Sequence, residues 1–258
     1  MMEYSKLAKE KLPYEGEFFL SKSKRFDELI FFVHFYDGSK RQVLRHVKLV
    51  NELGFDAFAF QLKFTHNDIL NLNLPLSPNG KFGAKHIYAD QIEHLLNLIP
   101  GAKIVFSFSN PSASAIEAMA RRNCADTKAL ICDSGPTARF LPSAYNLYTH
   151  EYGLKSRLAK WALTPVLSMA WSPLLHKDMQ RDLEKFPKGF QILSIRGWKD
   201  KLIPPSHIDE VFEGHAQLNW IKLSLPEAEH LTGLRDFKAE YVPAVERFLK
   251  EVATPLSK

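Results

Sequence analysis

Apolar positions along this chain follow two rhythms that take turns. Short continuous apolar runs, rich in β-branched and aromatic residues, recur at 28–35 (ELIFFVHF), 55–62 (FDAFAFQL), 104–108 (IVFSF), 128–132, 190–196 (FQILSIR) and 218–223. Runs of that kind read as strands covered on both faces. Residues 15–21 (EGEFFLS) add one more strand ahead of them. Between the runs, apolar residues recur at helical spacing. In 40–53 they are Val43, Val47, Val50 and Leu53, with Gly54 as the stop. Further helices are expected at 86–99, 112–122, 205–213 and 237–252. Residues 65–84 hold Pro, Asn, Asp and Gly among scattered leucines and read as a long loop. Residues 135–188 break the rhythm: they offer no strand, and carry helical patterns around Leu154, Leu158, Trp161, Leu167 and Trp171.

Strands alternating with helices imply an α/β fold, with a mostly parallel central sheet covered by helices on both faces. No repeat or low-complexity linker divides residues 1–258, so one domain is expected, with 135–188 inserted as a helical cap. In such sheets ligands collect at the carboxyl ends of the strands. Residues just after strands are therefore the ones to search for chemistry.

Composition narrows the function classes. The hydrophobic fraction of 45%, the charged fraction of 24% and a net charge of +5 are ordinary for a globular chain. Charges of both signs are interspersed and no nucleic-acid motif is present, which argues against a nucleic-acid partner. No apolar run reaches the length of a membrane span. The charged N-terminal stretch does not read as a secretory signal. Cys124 and Cys132 are the only cysteines and fall in apolar surroundings, as packing residues of a reducing, cytoplasmic protein would. There is no P-loop, Rossmann glycine fingerprint or paired-histidine motif, so neither cofactor nor metal is expected.

The stretch 103–120 (KIVFSFSNPSASAIEAMA) runs from a buried strand through Ser109-Asn110-Pro111 into a small-residue helix. A serine on such a turn exposes its hydroxyl above the sheet, next to the following backbone N–H and a helix N-terminus. This stretch resembles the nucleophile elbow of the α/β-hydrolase family, with Ser107 and Pro111 standing where the usual G-x-S-x-G has glycines. Two later stretches strengthen the resemblance. The stretch 192–204 (ILSIRGWKDKLIP) sets Asp200 three residues after Gly197, beyond a late strand. In 225–231 (LPEAEHL), His230 follows the last strand. The order Ser109, Asp200, His230 is that family's chain order.

The resemblance implies a serine hydrolase that cleaves a carboxylic ester or related acyl compound through an acyl-enzyme. Ser109 would be the nucleophile, His230 the base and Asp200 its orienting acid. The backbone N–H groups of Asn110 and Phe35 would bind the oxyanion, Phe35 replacing a glycine frequent in the family. His34, Trp161 and Trp171 are candidate pocket residues, and Trp161, Trp171, Leu154, Leu167 and Phe35 point to an apolar acyl substrate. Ser112 is the second-choice nucleophile, and Ser114 a helix-face residue. An acyltransferase or thioesterase would use the same residues. A non-catalytic binding protein on this scaffold is the alternative of another class.

Overall fold

The computed structural model describes residues 4–256. Among these residues seven strands form one sheet: β1 (Glu17–Phe19), β2 (Leu29–Val33), β3 (Asp56–Ala59), β4 (Lys103–Phe108), β5 (Thr127–Asp133), β6 (Gln191–Gly197) and β7 (Asn219–Leu225). Their spatial order is β1-β3-β2-β4-β5-β6-β7, with β1 antiparallel to β3 and every other pair parallel. The elbow strand β4 is therefore the middle strand. Its residues are buried on both faces, as its unbroken apolar run requires.

Among the described residues ten α-helices accompany the sheet: α1 (Leu44–Leu53), α2 (His66–Leu70), α3 (Ala84–Leu98), α4 (Ser112–Arg121), α5 (Phe140–Asn146), α6 (Arg157–Trp171), α7 (Leu175–Glu184), α8 (Pro205–Phe212), α9 (Gly233–Asp236) and α10 (Lys238–Val252). Two apolar clusters occupy the two faces of the sheet. One joins Val105, Leu130 and Ile192 to α3, α4, α7 and α8; the other joins Ile104, Ile131 and Leu193 to α1 and α10. Alternate residues of one strand thus feed opposite layers.

Two expectations change in detail. The helix expected over 40–53 opens with a 3₁₀ turn, Lys40–Val43, under a reciprocal Ser39–Gln42 capping box. The loop expected over 65–84 contains α2, held by an equivalent Thr65–Asp68 box. Between β5 and β6, α5 runs through a π-helical turn, Leu147–Glu151, before α6. The helix α7, which the sequence pattern left within 135–188, packs against α4 in the layer that covers the sheet.

Candidate active site

Ser109 opens the three-residue corner 109–111 between β4 and α4, at φ +55°. A non-glycine residue in that region is strained and needs its surroundings to hold it. Its own N–H donates to the Asp133 carbonyl at 2.8 Å, and its carbonyl accepts from Ser112 N at 3.1 Å in the first turn of α4. Pro111, at φ −58°, suits that turn, where its missing N–H costs nothing. Ser107 is buried in β4 and donates to the Ile131 carbonyl at 3.1 Å, so this hydroxyl fits where a glycine is usual. The close-approach glycine comes from a neighbouring strand end. A Cβ on Gly135 would lie 2.4 Å from the Ser109 carbonyl oxygen, so nothing larger than glycine fits beside the corner.

The three residues singled out by chain order meet here. His230 Nε2 lies 3.1 Å from Ser109 Oγ, and His230 Nδ1 lies 2.7 Å from Asp200 Oδ2. Asp200 is buried, and its other oxygen, Oδ1, accepts from the amides of Leu202 and Ile203 at 2.8 Å each. Three donors thus fix the carboxylate: one ring nitrogen and two backbone amides. Gly197 ends β6 where a Cβ would come within 2.2 Å of the Ala228 carbonyl, which lets the Asp200 and His230 loops lie against each other.

A second acidic residue stands beneath the His230 loop. Asp133, fully buried at the end of β5, accepts hydrogen bonds from Tyr241 Oη at 2.7 Å and Ser134 Oγ at 2.9 Å. Burial pushes its carboxyl pKa up, and those two hydroxyls oppose the shift. Ser134 Oγ also accepts from Leu231 N at 3.1 Å, tying the residue after His230 to the sheet. His46 Nε2 is 3.1 Å from the Tyr241 oxygen, and burial pushes its pKa down to about 3, so the ring is neutral. The sequence offered no role for Asp133 or Ser134, because their partners come from three distant segments.

A cleft of about 350 Å³ opens over Ser109 and His230, and Phe35 and Asn110 line it. No hydrogen bond among the described residues engages the backbone N–H of either. His34 is not a pocket residue. It is buried behind the turn, where Nδ1–H donates to the Phe35 carbonyl at 2.7 Å and Nε2 accepts from Leu62 N at 3.0 Å. Burial pushes its pKa down to about 4, keeping it neutral. Its effect is to pin the peptide that follows the Phe35 amide.

The two tryptophans also depart from expectation, because α6 carries apolar residues on two opposite faces and its sequence does not say which face turns inward. Trp161 is 61% exposed on the outer face. Trp171 is buried one layer behind the cleft, stacked on Phe140 at 5.3 Å between ring centroids and edge-on to Tyr36. Leu154 and Leu167 do not line the cleft either. Its apolar wall is Phe35, Phe140, Leu147, Leu202 and Leu231. Its polar lining includes Tyr36, Asp37, Ser143, Glu151 and Tyr152. Tyr152 Oη donates to Asp37 Oδ2 at 2.9 Å. Tyr36 Oη and Ser143 Oγ are buried with no partner among the described residues. No Lys or Arg lines the cleft among the described residues. Ser112 and Ser114 are buried in α4, away from it.

A scan of protein-family models finds no match to this chain. A search of curated protein sequences finds none either. Solved structures do match. An esterase of Pyrococcus furiosus is 15% identical, superposes with a TM-score of 0.63, and the alignment covers 93% of this chain and 86% of that one. A carboxyl esterase of Bacillus coagulans, solved with glycerol, gives 16% identity, a TM-score of 0.62 and coverage of 92% and 93%. A monoacylglycerol lipase of Paleococcus ferrophilus gives 15%, 0.58, and coverage of 92% and 98%. The fold they share with this chain is the α/β-hydrolase fold.

Proposed function

We propose that this α/β-hydrolase-fold protein is a serine hydrolase that cleaves a carboxylic ester through an acyl-enzyme. The observation that carries the reading is the hydrogen-bonded line from Ser109 Oγ through His230 to Asp200, anchored on a positive-φ corner at the head of α4. A serine hydroxyl is a weak nucleophile unless a base takes its proton during attack. His230 Nε2 takes that proton as Oγ adds to the ester carbonyl. The oxyanion that forms is met by the free N–H groups of Asn110 and Phe35. Collapse breaks the ester C–O bond, and the imidazolium returns the proton to the departing alcohol. Water then repeats the sequence on the acyl-enzyme and releases the acid. Asp200 holds the ring with Nδ1–H toward itself throughout, because its second oxygen is fixed by two backbone amides.

In this reading α5 and the π-helical turn act as the cap of the cleft, and they select the substrate. Asp37 and Glu151 line the same space as the reacting serine. Carboxylates there repel an anionic substrate. Uncharged and cationic esters are therefore the expected class, with the acyl chain against Phe140, Leu147 and Leu202.

A fluorophosphonate probe tests the chemistry. A serine paired to a base and facing oxyanion donors reacts with it, whereas an ordinary serine does not. Stoichiometric labelling at Ser109, lost in Ser109→Ala, is expected. Labelling at Ser112 would discard this reading of the corner. No labelling of the folded protein would favour a non-catalytic binding role. Turnover of p-nitrophenyl esters with and without added alcohol then separates hydrolysis from acyl transfer.

A further inference from the structure

Helix α6 is apolar on two opposite faces. Leu167, Ala170 and Trp171 turn inward, while Leu158, Trp161, Val166 and Met169 turn out to solvent. A helix that is hydrophobic all round is normally covered on every side. Leu158 is 84% exposed and Leu72, on the facing loop, 87%. The segment 69–82, from the end of α2 through that loop, alternates leucine with other residues and turns out Leu70, Leu72, Leu74 and Leu76. The two segments adjoin: Leu72, Leu74 and Phe82 share one shallow groove with Pro165, Val166 and Met169. Gly83 brings the backbones together, since a Cβ there would lie 2.5 Å from the Trp171 carbonyl. More than half of the large apolar side chains that the described residues leave exposed lie on these two segments.

Charge says what covers this face. Neither 69–82 nor 154–171 contains an aspartate or glutamate. The cations with no ion pair among the described residues stand at the head of α6, Lys155, Arg157 and Lys160, with Lys155 and Arg157 exposed, whereas Lys81 on the loop is paired with Glu117 at 3.0 Å. Exposed leucines, one tryptophan and a basic rim without acids make a surface that fits an anionic lipid interface. A second copy of this face would bring the same cations against each other, which opposes self-association through it.

We propose that α6 and the 69–82 loop form a docking surface for anionic lipid, on which the protein lies without crossing the bilayer. No described helix is long and apolar enough to cross one. The leucines and Trp161 enter the headgroup region while Lys155, Arg157 and Lys160 meet lipid phosphates. Because α5 and α6 are packed together, the docked face adjoins the wall of the cleft.

The test is co-sedimentation of the full chain with vesicles, which is independent of the catalytic reading. With phosphatidylcholine vesicles containing phosphatidylglycerol, the protein is expected in the pellet at low salt and released at high salt. With phosphatidylcholine alone it should stay in the supernatant. Leu158→Ser with Trp161→Ser, and separately Leu72→Ser with Leu74→Ser, should each lower partitioning about tenfold. These positions are exposed, so the thermal midpoint should hold. Leu98→Ser, exposed on α3, should bind as the parent does. Three results would overturn the proposal: no pelleting with either vesicle, equal pelleting with both, or a dimer in sedimentation velocity that the same substitutions dissolve.

Discussion

The floor and the roof of the cleft are built in opposite ways. On the floor, Ser109, Asp200, His230, Ser134, Asp133 and His34 each have their polar atoms engaged by backbone or by one another. These residues stand at the ends of five adjacent parallel strands, β2, β4, β5, β6 and β7, so the sheet itself sets the distances. On the roof, Ser143 carries an unpartnered hydroxyl into the cleft, and Thr164, Trp171 and Ser172 hold further unpartnered polar atoms behind it. The difference separates two tasks. Geometry that must be right to a fraction of an ångström is tied to backbone, whereas groups that discriminate among ligands are left to be satisfied by the ligand.

The sharpest way to break the comparison is to keep the floor's shape and spoil one proton. Asp200→Asn is nearly isosteric, yet it favours the wrong imidazole tautomer. kcat should fall by about 10⁴ with the fold intact, as measured by ester turnover alongside circular dichroism. A mild loss would mean that Asp133, under the same loop, takes over the orienting role.

Acid should reach the floor next. His34 and His46 are neutral when folded, with pKa values pushed down to about 4 and about 3 by burial. Unfolded, each binds a proton near the ordinary histidine value. The unfolded state therefore binds more protons, and stability is full above about pH 6.5 and falls as pH drops below it. From pH 7 to pH 5 each histidine should remove on the order of 2 kcal/mol, seen as a shift of the urea midpoint. His46→Phe should flatten that dependence. An unchanged slope would show that the ring does not titrate with folding.

Gly135→Ala tests the floor sterically. Its Cβ would press on the Ser109 carbonyl. About a hundredfold loss of kcat, with a lower thermal midpoint, is expected from misplacing the nucleophile. Wild-type activity would show that the corner tolerates the shift. The roof should respond least. Tyr36→Phe and Ser143→Ala each remove a hydroxyl that has no protein partner, so stability should hold and KM should change only a few-fold for polar esters. A severe loss of kcat from either would erase the division between floor and roof.

The same division explains what was legible in the chain. Ser109, Asp200 and His230 each follow a strand that announces itself by a short apolar run, and a parallel sheet carries all such ends to one edge. The strands placed the three at one edge, and the chain order they share with the α/β-hydrolase family singled them out among the other residues there. The cleft wall was not legible in this way. Trp161 and Trp171 lie on one helix with similar surroundings in sequence, and only the docking of α5 and α6 decides that one is exposed and the other buried. His34 looked like a pocket residue because it ends a strand at the right edge. Its ring turns inward to the Gln61 side-chain amide and the Leu62 backbone N–H, contacts with no local signal. Asp133, Ser134 and Gly135 were passed over for the same reason.

Gly135 carries a consequence for anyone who would rebuild this protein. The room that the corner needs is supplied by the next strand's exit, so the requirement spans two separate pieces of chain, 107–111 and 133–135. A contiguous pattern drawn through the serine sees two absent glycines and reports a defect. In a shuffled library, a crossover anywhere between β4 and β5 would separate the serine from the residue that makes its conformation bearable. The heritable module is the pair of strand ends taken together, and chimaeras that inherit both from one parent are the ones that should keep the corner.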